Sequence, residues 1–158
     1  MRRGCQPRKV EGRSEVMGRP NSRFAESTKF VAKMRAAGLR PTRQRLQLAE
    51  LLFRHGNRHV TAEFLHQEAQ DAGCAVSLAT VYNTLHQFTT AGLLQQVIVD
   101  PSRSYFDTNT GSHQHFYDEE DSGLIDIAGD AVEVSGLPAP PRGKAIARVD
   151  VVVRIRRA

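Results

Sequence analysis

Apolar residues recur at three- and four-residue steps through Phe24, Phe30, Val31 and Met34 until Gly38 interrupts them, which predicts an opening helix. Pro41-Thr42 then predicts a second helix, with Thr42 as its N-cap, Leu46, Ala49, Leu52 and Phe53 on its buried face, and Gly56 as its stop. Thr61 caps a third over TAEFLHQEAQDAG. Ser77 caps a fourth over SLATVYNTLHQFTTAG, whose Leu78, Val81, Leu85 and Phe88 form one stripe at helical spacing. After Gly92 the period shortens to two, with LLQQVIVD, a Pro-Ser-Arg turn and SYFDT, the signature of a β-hairpin. From about residue 110 the pattern reads as short strands, HQHFY, GLIDIA and AIARVDVVVRIRR, with the proline-rich VSGLPAPPRGK as a loop. In the last strand Val149, Val151, Val153 and Ile155 alternate with Arg148, Asp150, Arg154 and Arg156. One apolar face on so small a sheet predicts cover by self-association.

Helices followed by a hairpin predict an N-terminal winged helix-turn-helix domain over residues 24–109, and the short strands over 110–158 make a second, smaller part. The fourth helix, opposite its stripe, carries Thr80, Asn83, His86 and Gln87, with Tyr82 to one side. These are hydrogen-bonding groups without carboxylates, as an element approaching phosphates and base edges requires; a solvated face of a structural helix has the same composition.

Charge supports a two-part reading. Residues 1–23 carry seven basic and two acidic side chains, and 24–99 eight and five; residues 100–147 reverse the balance at three and nine, and 148–158 carry four arginines against one aspartate. A basic front half suits a polyanion and an acidic later segment suits cations. The first 23 residues have almost no apolar content and read as a disordered basic tail in which Met17 is an alternative start and Cys5 a bystander. Only Cys5 and Cys74 occur, far apart, so neither a disulfide framework nor a cysteine zinc site is expected. No apolar run nears the ~20 residues of a membrane span and no signal peptide is apparent, so the expectation is a soluble cytoplasmic protein without a membrane partner. No nucleophile triad or phosphate loop is recognisable, which argues against an enzyme built on the histidine and aspartate residues.

AGLRPTRQRLQLAELL, NRHVTAEFLH, VSLATVYNTLHQF, AGLL and SYFDT, in this order and spacing over about residues 37–107, resemble the DNA-binding domain of the ferric uptake regulator family. TVYNTLHQFTTAGLLQQVIVD followed by YFDTNT and a histidine cluster is most similar to that family's iron response regulator branch. The resemblance implies a homodimeric transcription regulator on palindromic AT-rich double-stranded DNA, of α+β fold, with an N-terminal winged helix-turn-helix DNA-binding domain and a small C-terminal α/β domain over 110–158 for dimerisation and sensing. It implies that Tyr82 touches a base and Arg40 lies near the minor groove, with Arg43, Ser77, Thr80 and Asn83 joining them. Asn83 stands where the wider family has Arg, and asparagine pairs bidentately with adenine.

For the sensor, the resemblance implies a metal site between the domains at His59, Asp107, Gln114, Phe116 and Asp126, in which Gln114 is a poor ligand and Phe116 none. A second site maps onto His113, His115 and Glu133, with Asp150 where the family has a histidine. On an extended strand the two histidines project from one face about 6–7 Å apart, near enough to share Zn²⁺, Mn²⁺ or Fe²⁺. The iron response branch adds haem through His113 and His115, at most one of which ligates a given iron, because neighbours on one strand face cannot straddle a porphyrin. The family's structural CxxC zinc pairs are missing, DEED standing where the first would fall, and the second domain's helix is lost to the proline-rich loop. The implied function is an iron-responsive repressor of haem-synthesis and iron-use genes, active under low iron and released by haem. The alternatives are a regulator requiring Mn²⁺, Zn²⁺ or Fe²⁺ as corepressor and a metal-insensitive winged-helix module.

Overall fold

The computed structural model describes residues 22–158, and side chains from residue 28 onward, opening with helix α1 (Ser22–Ala36). The tail expected over 1–23, with Cys5 and Met17, lies outside the described residues except for Ser22 and Arg23, which belong to the first turn of α1. Hydroxyl caps set the starts of α2 (Arg43–Phe53), α3 (Ala62–Asp71) and α4 (Leu78–Thr90). Thr42, Thr61 and Ser77 sit in extended backbone and accept the N–H three residues on, at 3.3, 3.2 and 3.1 Å. Each cap contributes about 1 kcal/mol. At the other end of α4, Gly92 adopts φ +70°, which lets Leu93 N–H turn back to the Phe88 carbonyl at 2.8 Å and stops the helix without strain.

The stripe predicted on α4 is buried as Val81, Leu85 and Phe88. These pack with Leu48 and Leu52 of α2, Leu65 of α3 and Phe106 into one core. That core also holds Val60, in a two-residue strand β1 (His59–Val60) too short to show a period. Strands β2 (Gln95–Asp100) and β3 (Arg103–Asp107) form the expected hairpin, and β1 pairs antiparallel with the outer side of β3, giving the order β1-β3-β2.

The second sheet has the order β5-β4-β6, from β4 (His113–Asp118), β5 (Gly123–Ala128) and β6 (Val152–Ile155). Antiparallel pairing sets His115 opposite Asp126, and β6 runs parallel to β4 with Val152 opposite His115. The strand expected over 145–157 shrinks to these four residues, because pairing to the six-residue β4 begins only where Val151 C=O accepts His115 N–H. Residues 129–151 form neither helix nor strand.

The pleat of β4 separates two faces. His113, His115 and Tyr117 face the hairpin, where Tyr117, Leu124 and Val152 pack on Val97, Val99 and Tyr105. Arg154 strengthens this contact by stacking on the Tyr117 ring, 5.4 Å from its centroid, and donating to the Val99 carbonyl. The opposite face presents Phe116, Ile125 and Val153, and Ile125 is 53% exposed. Among the described residues no helix is long and apolar enough to cross a membrane.

Candidate metal centre

Two strand registers build the site. The β1–β3 pairing puts His59 directly across from Asp107, and the β4–β5 pairing puts His115 across from Asp126. Because the histidine face of β4 packs against the hairpin sheet, these pairs meet. One ligand-type atom from each of His59, Asp107, His113, His115 and Asp126 lies within 4.8 Å of all the others.

Asp107, fully buried, is central: its Oδ2 lies 2.8 Å from His113 Nε2, 3.5 Å from His115 Nε2 and 3.6 Å from His59 Nε2. Asp126 Oδ1 lies 2.8 Å from His59 Nε2 and 3.6 Å from His113 Nε2. Despite these separations, the three Nε2 atoms and Asp107 Oδ2 are buried without a well-formed hydrogen bond. Buried polar atoms turned on one another without such a bond are costly unless a cation satisfies them. The donor set, imidazoles and carboxylates without thiolates, suits Zn²⁺, Mn²⁺ or Fe²⁺. Burial opposes charging His59, but the carboxylates of Asp107 and Asp126 outweigh it and raise its pKa. Burial likewise opposes ionising Asp107, and the imidazoles of His115 and His59, with the Asn109 N–H, outweigh it and hold the carboxyl well below the usual range.

Outer hydrogen bonds orient the cluster. His113 Nδ1 is 2.9 Å from the Gly111 carbonyl; donating to it selects the tautomer whose Nε2 lone pair faces inward. Asn109 serves both carboxylates: its N–H donates to Asp107 Oδ1 at 2.7 Å and its side-chain amide to Asp126 Oδ2 at 3.2 Å, leaving the other oxygen of each for the centre. Sequence reasoning missed Asn109, although an asparagine two residues after an aspartate is a local turn signal.

Residues expected in two separate sites thus come together in one cluster. Gln114 and Phe116 lie on the other face of β4, where Gln114 Oε1 accepts Val151 N–H at 2.7 Å; the residues of β4 that join the cluster are His113 and His115. A register displaced by one residue inverts a strand's faces. Glu133 is exposed in the irregular 129–151 segment and outside the cluster, and Asp150 pairs with Arg148. As haem ligands, His113 and His115 are poorly presented: their side chains are 5% and 4% exposed, with ring centroids 4.5 Å apart and both Nε2 atoms facing Asp107.

The expected DNA-facing residues fall on α4 and at the start of α2. Tyr82 and Asn83 are exposed on α4, Ser77 and Thr80 bond each other at its start, and Arg40 and Arg43 flank the Thr42 cap. Tyr82 donates its hydroxyl to Glu63 at 2.5 Å, a partner that sequence reasoning did not find. Gln87, read on the same face of α4, is exposed and accepts from Arg45.

The family model described as the ferric uptake regulator family matches residues 36–140. The chain is 35% identical over 101 residues to a ferric uptake regulation protein of Shigella flexneri, covering 63% of this chain and 68% of that protein. It is 32% identical over 102 residues to the peroxide-responsive repressor PerR of Staphylococcus aureus, covering 65% and 68%. Among solved structures it resembles the ferric uptake regulator of Pseudomonas aeruginosa with manganese, at 27% identity and a TM-score of 0.60 over 80% of this chain and 96% of that one.

Proposed function

The chain belongs to the ferric uptake regulator family of dimeric, DNA-binding, metal-responsive transcription regulators, and from that premise we propose that the five-residue cluster is its sensor for a divalent cation. The observation that carries the reading is the convergence of His59 and Asp107 from the hairpin sheet with His113, His115 and Asp126 from the second sheet. A bound ion joins the two sheets through its ligands and favours the domain arrangement in which they converge. Arg40, Arg43, Ser77, Thr80, Tyr82 and Asn83 read the DNA, with α4 in the major groove and Arg40 at the minor groove. The exposed Phe116, Ile125 and Val153 face joins two copies, as a two-fold operator requires. Mn²⁺, Zn²⁺ or Fe²⁺ acts as corepressor in this reading.

The opposite sign, DNA release by haem on His113 or His115 as in the iron response branch, requires a ring to leave the cluster and expose Asp107 unpaired. The test is a gel shift with a duplex selected from a random pool by the chain in Mn²⁺, repeated with chelator and with haemin. Loss with chelator and none with haemin is expected; loss with haemin alone would reverse the assignment. Linkage adds a check: an ion that strengthens DNA binding by some factor is itself held tighter by that factor when DNA is present.

A further inference from the structure

An arginine in the first turn of a helix beside a DNA-reading surface is ordinarily taken for a phosphate contact. Arg45 is committed elsewhere. Its Nε and Nη2 both donate to Gln87 Oε1, at 3.0 and 2.6 Å, and its Nη1 donates to the Arg40 carbonyl at 2.7 Å. Its backbone N–H is held by the Thr42 cap, so the stem of the side chain is anchored as well. Gln87 stands one turn beyond Asn83 on α4, and Arg40 lies in the segment between α1 and α2. One half-buried guanidinium thus spans the two elements assigned to minor-groove and major-groove reading, which are distant in sequence.

The geometry points to Arg45 as a positioning residue, a strut that sets the separation and angle between Arg40 and the Tyr82–Asn83 face, and so the specificity of the domain for one DNA sequence over another. Three properties make arginine suited to this. Its fork is planar and rigid, so bonds to Gln87 on one side and to the Arg40 carbonyl on another define a fixed spacing. Both acceptors are neutral, so the charge remains to attract DNA at long range although its hydrogen bonds are spent on the protein. The Arg40 carbonyl belongs to the backbone, so the tie fixes the start of the Arg40 side chain and leaves its head free. Lysine supplies the charge and cannot supply the fork. The inference rests on the DNA-reading assignments proposed above.

The test uses full-length protein loaded with Mn²⁺ and two duplexes, one selected by the wild type from a random pool and one of scrambled sequence. Arg45→Lys and Gln87→Ala both keep the charge count of the wild type while breaking the tie from opposite ends. Each is expected to lower the preference for the selected duplex about tenfold, as loss of a charge-assisted hydrogen bond implies. The slope of log affinity against log salt stays at its wild-type value, whereas removing one phosphate contact would shallow it by about 0.9. The double variant is expected to be no worse than either single one, because both remove the same tie. Wild-type preference in Arg45→Lys and Gln87→Ala, or a double variant that loses the sum of the two, would overturn the strut. A wild type that selects no duplex would instead overturn the DNA-reading assignments together with it. Gln87 is exposed, so its alanine variant folds as the wild type does and gives the inference a readout independent of Arg45→Lys.

Discussion

Replacing Asp107 with asparagine removes one charge at nearly constant volume from the centre of the cluster. The carboxylate is 0% exposed, its Oδ2 faces three imidazole nitrogens at 2.8–3.6 Å, and its Oδ1 is occupied by Asn109 N–H. The amide leaves either a neutral oxygen or an N–H₂ group facing the cation. Loss of a charged ligand costs at least what loss of an outer hydrogen-bond partner costs, so metal affinity should fall about a hundredfold. At a metal concentration about a hundred times Kd, the wild type gains about 2.7 kcal/mol from binding; at the same concentration the variant sits near its own Kd and gains about 0.4 kcal/mol. For a chain of this size about 1 kcal/mol moves Tm by roughly 2–4 °C. The metal-induced shift should therefore shrink from roughly 5–11 °C to roughly 1–2 °C, read by thermal unfolding with Mn²⁺ or Zn²⁺ near neutral pH. A variant that keeps the full shift would remove Asp107 from the ligand set.

Asn109→Ala frees the Asp126 carboxylate to rotate while the backbone N–H that holds Asp107 and every cluster residue stay in place; a loss of roughly tenfold in metal affinity by calorimetry is expected, and wild-type affinity would show that the Asn109 side chain orients nothing. His59 has a folded pKa raised above its ordinary value, so its contribution to the metal-free protein is present at low pH and lost as pH rises through the raised value. Asp107, whose folded pKa is depressed, contributes above the ordinary carboxylate range and loses its contribution as pH falls. Metal binding expels the His59 proton, so melting temperatures with and without metal should converge as pH falls and separate as it rises, and a gap independent of pH would count against His59 as a ligand. Ile125→Asp places a charge on the exposed apolar face of the second sheet and should shift sedimentation toward a monomer at concentrations where the wild type is dimeric; an unchanged dimer would move the interface elsewhere.

The sequence alone determined the elements whose signals are local. Thr42, Thr61 and Ser77 announce helix starts because a hydroxyl must meet an N–H three residues away, and the Leu78, Val81, Leu85, Phe88 stripe announces burial because helical spacing aligns those side chains. The hairpin and the histidine strand were legible for the same reason. Resemblance supplied His59, Asp107 and Asp126 as ligands, and the strand period supplied His113 and His115 as neighbours on one face. Tertiary structure decided that these five fall in one cluster. Residues more than sixty positions apart meet through two strand registers, and β1, only two residues long, carries no period from which its pairing with β3 is readable. Alignment placed Gln114 and Phe116 among the ligands, and a one-residue displacement is invisible until pairing shows which face of β4 meets the hairpin sheet. Asn109, Glu63 and Arg45 escaped for a related reason: their roles lie in what they touch, and contacts across the fold leave no period in the chain.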